Sequence, residues 1–481
     1  MRNIDDESIK HSLSLVKEHD ITMVDLKIAD LEGRWRHVTV PSGMFTEKLF
    51  SEGVGFDGSS IYGMKNVHNG DLCAIPDPTW CFIDPFFEKR TLSLLTRIVE
   101  ADTKFPFRYD PRYIAGKIVS LLQHKLNVGE ILLAPELEFH LFDRVNFQIS
   151  GGCCFYEIES KESDWNRGWR ENLSQGYSIP PKGGYHCCPP VDQYFNIRSK
   201  MVETIEKAGT RIKYHHHEVG TAGQSEIETL FQPIVKACDH LLWIKYAVRN
   251  VAKNSGLSAT FMPKPLHNEP GNGLHIHYIL KDNEGTPLFY HEAGPSELST
   301  FALQYIAGIL MHAPALSAFT NPSVNSFRRL TPGFEAPTSL YYSPGDRAAA
   351  IRIPMYAKTP DSKRFEVRFP DCTCNPYIAF SALLLAGLDG IRRKLNPEEL
   401  GMGPLDVSRQ NQSESVRNNI ATLPRNMRES FEALESDHEF LTCDGIFEPS
   451  FIRSWISIHR DEIETSERMP TPYDYHRSFN C

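Results

Sequence analysis

Apolar residues in this chain recur at two periods, and the periods mark out its elements. Residues 1–20 place apolar positions along one face of a polar helix. "ITMVDLKIAD" and "RWRHVTVP" then alternate around the turn "LEG", which predicts a β-hairpin. Residues 51–80 are rich in Gly, Ser, Asp and Pro and read as loop. "TLSLLTRIVEA" (91–101) is a further strand, so the first hundred residues predict a small mixed sheet. The stretch "KFPFRYDPR" places a domain boundary near residue 105, dividing the chain into 1–105 and 106–481.

Asp110 followed by Pro111 is a helix start, and the pattern continues to about Leu126. "EILLAPELEFHLFD" (130–143) alternates as a strand. Residues 151–190 carry Gly, Pro, Ser and Cys and predict a long ordered loop of the functional kind. Helices are expected at 192–209, 228–255 and 296–318, the last buried. "RFEVRFPD" (364–371) reads as a strand, "PYIAFSALLLAGLDGIRRKL" as a buried helix, and 396–425 as polar surface. No internal repeat is visible.

A length of 481 residues suffices for a large core without disulfides. The net charge of −10 argues against a nucleic-acid binder but leaves room for a local basic pocket. Eleven cysteines, with adjacent pairs at 153–154 and 187–188 and no CxxC, predict reduced thiols rather than a disulfide framework or a zinc site. The polar, acidic N-terminus is no signal peptide, and no apolar run is read as reaching the roughly 20 residues of a membrane span, so a cytoplasmic setting is expected.

The candidate chemistry begins with Glu136 and Glu138, two carboxylates on one face of a strand. Adjacent buried carboxylates need a cation or a shared proton; a solvent-exposed face is the alternative. Glu218 and Glu226 bracket the small-residue turn "VGTAGQS", which lets both approach one point. His275 in "EPGNGLHIH" and Glu366 in "RFEVRF" complete a set of hard donors suited to Mg2+ or Mn2+, with carboxylates enough for two ions. His277 is expected to face away from His275. Arg328, Arg329, Arg347, Arg352, Arg364 and Arg368 concentrate positive charge over about forty residues, the side chain suited to phosphate and carboxylate. Surface pairing with acids remains the alternative for any single one.

Nine segments, in order, resemble those of class I (prokaryotic-type) glutamine synthetases. They are "GFDGSSI", "PELEFHLFD", "KGGYHCCPPVD", "HHHEVGTAGQSEIE", "ATFMPKPL", "GLHIH", "NPSVNSFRRLTPGFEAP", "AAAIRIP" and "RFEVRFPDCTCNPYIAFSALLLAGLDGI". The resemblance implies an α+β fold: a small N-terminal β-grasp-like domain and a large catalytic domain with a curved antiparallel sheet flanked by helices. It implies ATP-dependent ligation of ammonia to glutamate through γ-glutamyl phosphate. Glu138, Glu218 and Glu226 resemble the ligands of a first metal; Glu136, His275 and Glu366 resemble those of a second. Arg347, Arg352 and Arg364 match phosphate-binding arginines, with Arg347 also among the catalytic groups. Arg329 and Arg368 match glutamate-holding ones, beside the loop at Gly271. Phe231 matches an aromatic near the adenine, Asp57 the acid that deprotonates ammonium, and Glu335 the acid of a flap. The resemblance further implies a dodecamer of two hexameric rings, with Asp57 serving a neighbouring subunit and the tail "ERMPTPYDYHRSFNC" inserted into the opposite ring.

The chain departs from the pattern at three places. Pro270 stands where an Asn is usual, Ile279 where Ser is common, and Asp361 where a basic residue is frequent. Segment 396–412 lacks the tyrosine of members controlled by adenylylation, so that control is expected to be absent. Two alternatives stay open: a γ-glutamyl-amine synthetase, and a catalytically silent regulator. Relatives of the first kind usually lose the acid at Asp57, and the second would not need all six metal ligands.

Overall fold

The computed structural model describes residues 6–165, 176–405 and 420–479. Two sheets organise them. The first is five-stranded, in the order β2–β1–β5–β4–β3: β1 (Met23–Ala29), β2 (Trp35–Pro41), β3 (Val54–Asp57), β4 (Asp71–Ile83) and β5 (Thr91–Glu100). β1 and β5 run parallel and the other pairs antiparallel. The expected β1–β2 hairpin forms. The helix Asp6–Glu18 lays Ile9, Leu13 and Val16 onto Ile21, Leu26, Leu92 and Leu94, closing one face of this sheet.

The loop expected over 51–80 is only partly loop. β4 begins at Asp71 and continues through Pro76 and Pro78 because its register against β5 shifts between Pro76 and Cys81. A bulge tolerates prolines that a regular ladder excludes.

The second sheet has nine strands. Its main path is β14 (Tyr342–Pro344), β15 (Ile351–Ile353), β16 (Phe365–Val367), β13 (Leu274–Asp282), β6 (Val128–Phe142), β10 (Gln224–Thr229) and β9 (Ile212–His217). β11 (Gln232–Pro233) and β12 (Ser258–Thr260) also pair with β6. All these pairs are antiparallel except β14–β15. Helices Pro111–Leu126, Ile234–Asn254, Thr300–Thr320 and Pro376–Arg392 bury their apolar faces in one continuous core with the sheet. The architecture is α+β, as the resemblance implied.

Two further segments differ from expectation. Residues 144–159 form a hairpin, β7 (Arg144–Ser150) with β8 (Cys153–Glu159), and its second strand falls inside the stretch 151–190 read as loop. The helix expected from 228 begins at Ile234, because Glu228 and Thr229 end β10. Thr300–Thr320 is in fact long and apolar enough to cross a membrane by length and composition, but 72% of its apolar window is buried, as in a core helix. The cysteines among the described residues are free. Residues 406–412 of the segment that lacks a tyrosine lie outside the described residues.

Arg112, on helix Pro111–Leu126, ties the first sheet to helix Ile234–Asn254. It donates to both oxygens of the buried Asp239 at 2.8 Å and to Asp77 of β4 at 2.8 Å. The Trp80 indole adds a hydrogen bond to the Ala208 carbonyl at 2.8 Å.

Candidate active site

Strand register assembles the acidic cluster. Glu136 on β6 lies opposite Glu228 of β10 and His275 of β13. Glu138 lies opposite Glu226, and Glu226 opposite His216 of β9. Glu366 on β16 lies opposite His277 of β13 and Arg352 of β15. Glu136, Glu138, His216, Glu226, His275, Arg352 and Glu366 share the floor of a cavity of about 990 Å3, while Glu228 and His277 lie behind it.

Among the described residues, donor groups converge within 4.8 Å of one another in four trios. Glu136, His275 and Glu366 form one, the set the resemblance implied for the second metal. The set implied for the first metal is divided: Glu138 and Glu226 gather with His275, while Glu218 and Glu226 gather with His216. Glu226 therefore belongs to two trios. The fourth joins Glu136, Glu228 and His277. His277 is on the same face as His275, not the opposite one, since residues two apart on a strand point the same way. Its Nε2 lies 2.6 Å from Glu136.

The cluster is electrostatically divided. Burial acts to raise the Glu136 carboxyl, but His277 and His275 draw it well below its usual range. Burial likewise opposes Glu366, yet Arg368 brings it down to about 2. Arg352 donates to Glu366 at 2.8 Å and Arg368 to its other oxygen. Glu218 and Glu226 are displaced the other way. Burial and then the carboxylates around them, Glu226 and Glu138 for the first and Glu136 and Glu138 for the second, raise them well above normal. Such a group of like charges is built for cations of oxygen-rich coordination, so the donor set fits Mg2+ or Mn2+.

Backbone contacts fix the ligating carboxyls. The Gly273 N–H donates to Glu138 and the Val219 N–H to Glu218, each at 2.7 Å. Two glycines permit the close approaches. A Cβ on Gly271 would lie 2.3 Å from the Pro263 carbonyl oxygen, and one on Gly184 only 2.4 Å from that of Glu218. Pro270 lines the cavity, so the departure at this position does face the site. Ile279 is buried, and Asp361 is exposed and pairs with Lys281 at 3.3 Å.

Gly271, Arg329, Glu335, Arg347, Arg352 and Arg368 line the same cavity. The Arg329 guanidinium donates to the carbonyls of Arg368, Phe369 and Pro370 at 3.0–3.1 Å, which makes it a brace of the wall as well. Arg364 and Phe231 do not line it but lie together, the guanidinium 5.8 Å from the ring centre. Asp57 stands apart at the end of β3, exposed. Its carboxyl is held below the usual range by Ser59 and Ser60, whose hydroxyls each approach to 2.6 Å.

Sequence reasoning missed His216, Glu228 and the placement of His277. Period two from Glu226 would have put Glu228 on the same face, and from His275 it would have found His277. His216 sits mid-run among three histidines, where only the pairing partner decides which one faces inward.

The domain description "Glutamine synthetase, beta-Grasp domain" matches residues 20–101, and "Glutamine synthetase, catalytic domain" matches 108–478. A glutamine synthetase of Aquifex aeolicus is 42% identical over 465 residues, covering 96% of this chain and 97% of its own. One of Frankia alni is 39% identical over 465 residues, with the same coverage. The cryo-EM structure of Plasmodium falciparum glutamine synthetase superposes with a TM-score of 0.88 at 27% identity, covering 99% of this chain and all of its own. With both family domains matched in order around a carboxylate-rich cavity, the chain belongs to the glutamine synthetase family, class I.

Proposed function

We propose that this chain joins ammonia to the γ-carboxylate of L-glutamate, with ATP, through γ-glutamyl phosphate, releasing glutamine, ADP and phosphate. The observation that carries the reading is the buried carboxylate–histidine floor flanked by Arg347, Arg352 and Arg368 in one cavity. A carboxylate resists amines, and phosphorylation converts it into an acyl donor; that transfer needs positioning and charge stabilisation. Glu138, Glu218 and Glu226 would hold one Mg2+ or Mn2+, and Glu136, His275 and Glu366 another. Bound there, the cations would neutralise charge on the nucleotide phosphates and the substrate carboxylate.

The remaining roles belong to the chain itself. Arg347 and Arg352 bind the phosphates, and Arg364 with Phe231 forms the nucleotide end, supported by the contact between them. Arg368, with Arg329 bracing the wall behind it and Gly271 beside it, orients glutamate. Glu335, in the flap 331–337, closes over the intermediate and excludes water. Asp57 binds ammonium and takes its proton, since ammonium itself is not nucleophilic.

Asp57 is exposed and outside the cavity of its own chain. That supports a homo-oligomer in which one subunit's 1–105 unit completes the site on the 106–481 unit of the next. The exposed Tyr473 and Tyr475 of helix Pro472–Ser478, Phe479 just past its end, and the exposed Phe147 and Ile149 of β7 are apolar surface of the kind subunits cover, in keeping with two stacked hexamers.

The test is ADP release with ammonium, ethanolamine, putrescine or no amine, each with glutamate and Mg2+ or Mn2+. Turnover with ammonium is expected. Turnover only with an organic amine would overturn the choice of ammonia, and none at all would favour a silent regulator.

A further inference from the structure

Phe334 sits in the flap, and its ring is met by two lysines from two other loops. The Lys264 ammonium is 3.7 Å from the ring centre, and that of Lys182 is 5.3 Å away. Lys182 also donates to the Gly333 carbonyl at 3.0 Å, gripping the flap backbone. Lys264 donates to the carbonyl of Glu269, one residue before Pro270. Its own backbone is locked to the flap's base: the Lys264 N–H donates to Asn325 at 2.6 Å, and the Asn325 amide donates back to the Lys264 carbonyl at 3.1 Å. One residue therefore touches the flap and the loop that leads to His275 with its side chain, and the segment from which the flap springs with its backbone.

From this geometry we infer that Lys264 is a positioning residue, holding the flap closed by its charge on the Phe334 ring and coupling closure to the loop at Pro270. The inference rests on reading 331–337 as the flap of the proposed reaction. A desolvated ammonium on an aromatic face is a favourable contact that an apolar side chain of the same length cannot make. Burial, followed by the nearby Arg329 and Lys182 charges, lowers the Lys264 ammonium to about 8, as befits a cation held off from water; Glu269 acts in the opposite sense. The acyl phosphate is what the closed flap protects. When water reaches it, the water oxygen bonds to the acyl carbon and the carbon–oxygen bond to phosphate breaks. Glutamate and inorganic phosphate result, so the net reaction is ATP hydrolysis.

The experiment measures inorganic phosphate and glutamine together, with ATP, glutamate, Mg2+ and ammonium, and phosphate alone without ammonium. The native chain is expected to release one phosphate per glutamine. Lys264→Met should raise ammonium-independent phosphate release by roughly threefold to tenfold, as loss of one cation–π contact allows. Its phosphate-to-glutamine ratio should exceed one. Lys264→Arg should restore the ratio, because guanidinium also binds the ring. Phe334→Leu should leak like Lys264→Met, and the double variant no more than either. A ratio of one in both Lys264→Met and Phe334→Leu, or equal leakage in Lys264→Arg and Lys264→Met, would overturn the inference. Should Lys264→Met fail to fold, Phe334→Leu against Phe334→Tyr carries the same test. Absence of ammonium-dependent glutamine from the native chain would instead overturn the proposed reaction.

Discussion

Replacing Glu226 by Gln should separate the cation-free from the cation-bound protein. Glu226 is 5% exposed and shares both the Glu138–His275 and the His216–Glu218 groupings. Two carboxylates at the 4.8 Å that bounds these donors repel by about 3.5 kcal/mol at an effective dielectric near 20. Proton uptake discharges part of that, so the amide is expected to stabilise the cation-free fold by about 1–3 kcal/mol. The cation increment should fall. At 100 times Kd a bound ion adds about 2.7 kcal/mol per site, and a hundredfold weaker site adds only about 0.4 kcal/mol. Because Glu226 belongs to the set proposed for the first cation, the increment of that site should shrink. Glu366→Gln touches the set proposed for the second cation and should spare the first. Urea unfolding of chelated protein, repeated over a Mn2+ series, reads both terms. A Glu226→Gln chain that is less stable than native without cation, or that keeps the full Mn2+ increment, would refute the reasoning.

Asp57→Ala should impair amide formation more than γ-glutamyl phosphate formation, measured as glutamine against trapped acyl phosphate; equal losses would exclude the ammonium-base role. Co-assembly of Asp57→Ala with Glu366→Gln subunits should restore activity to about one quarter by random pairing if each site draws on two subunits, whereas no recovery would place both residues in one subunit's site. His312 lies between Asp389 at 2.9 Å and Asp437 at 2.7 Å, stacked on Phe440. Burial opposes its charge, but the two carboxylates raise it above 6.5, so its contribution is complete below that pH and lost as pH rises through the folded value. His312→Gln should flatten the fall of stability above pH 6.5, and parallel native and variant curves would count against the clamp.

Much of the fold was legible because its long elements carry clean periods. Helix Pro111–Leu126 announced itself by the Asp110 cap, whose carboxyl accepts from the Arg112 N–H at 3.0 Å. β4 was hidden by Pro76 and Pro78, and the β7–β8 hairpin by a turn whose flanking residues resemble loop. The acidic floor was legible as residue types, since Glu136, Glu138, Glu218, Glu226, His275 and Glu366 all reach one cavity. How they group was not, because grouping is set by register: Glu226 faces both Glu138 and His216 only once β10 lies between β6 and β9. The contact of Lys264 with Phe334 joins residues seventy apart through two loops, and no local pattern announces it.

The most direct measurement of the central claim follows oxygen. With glutamate labelled by 18O in the γ-carboxylate, ATP, ammonium and Mg2+, the acyl-phosphate route transfers one carboxylate oxygen to phosphate for each glutamine made. Labelled inorganic phosphate in equal amount to glutamine is the predicted result. Glutamine formed with unlabelled phosphate, or ATP consumed with no glutamine, would contradict it.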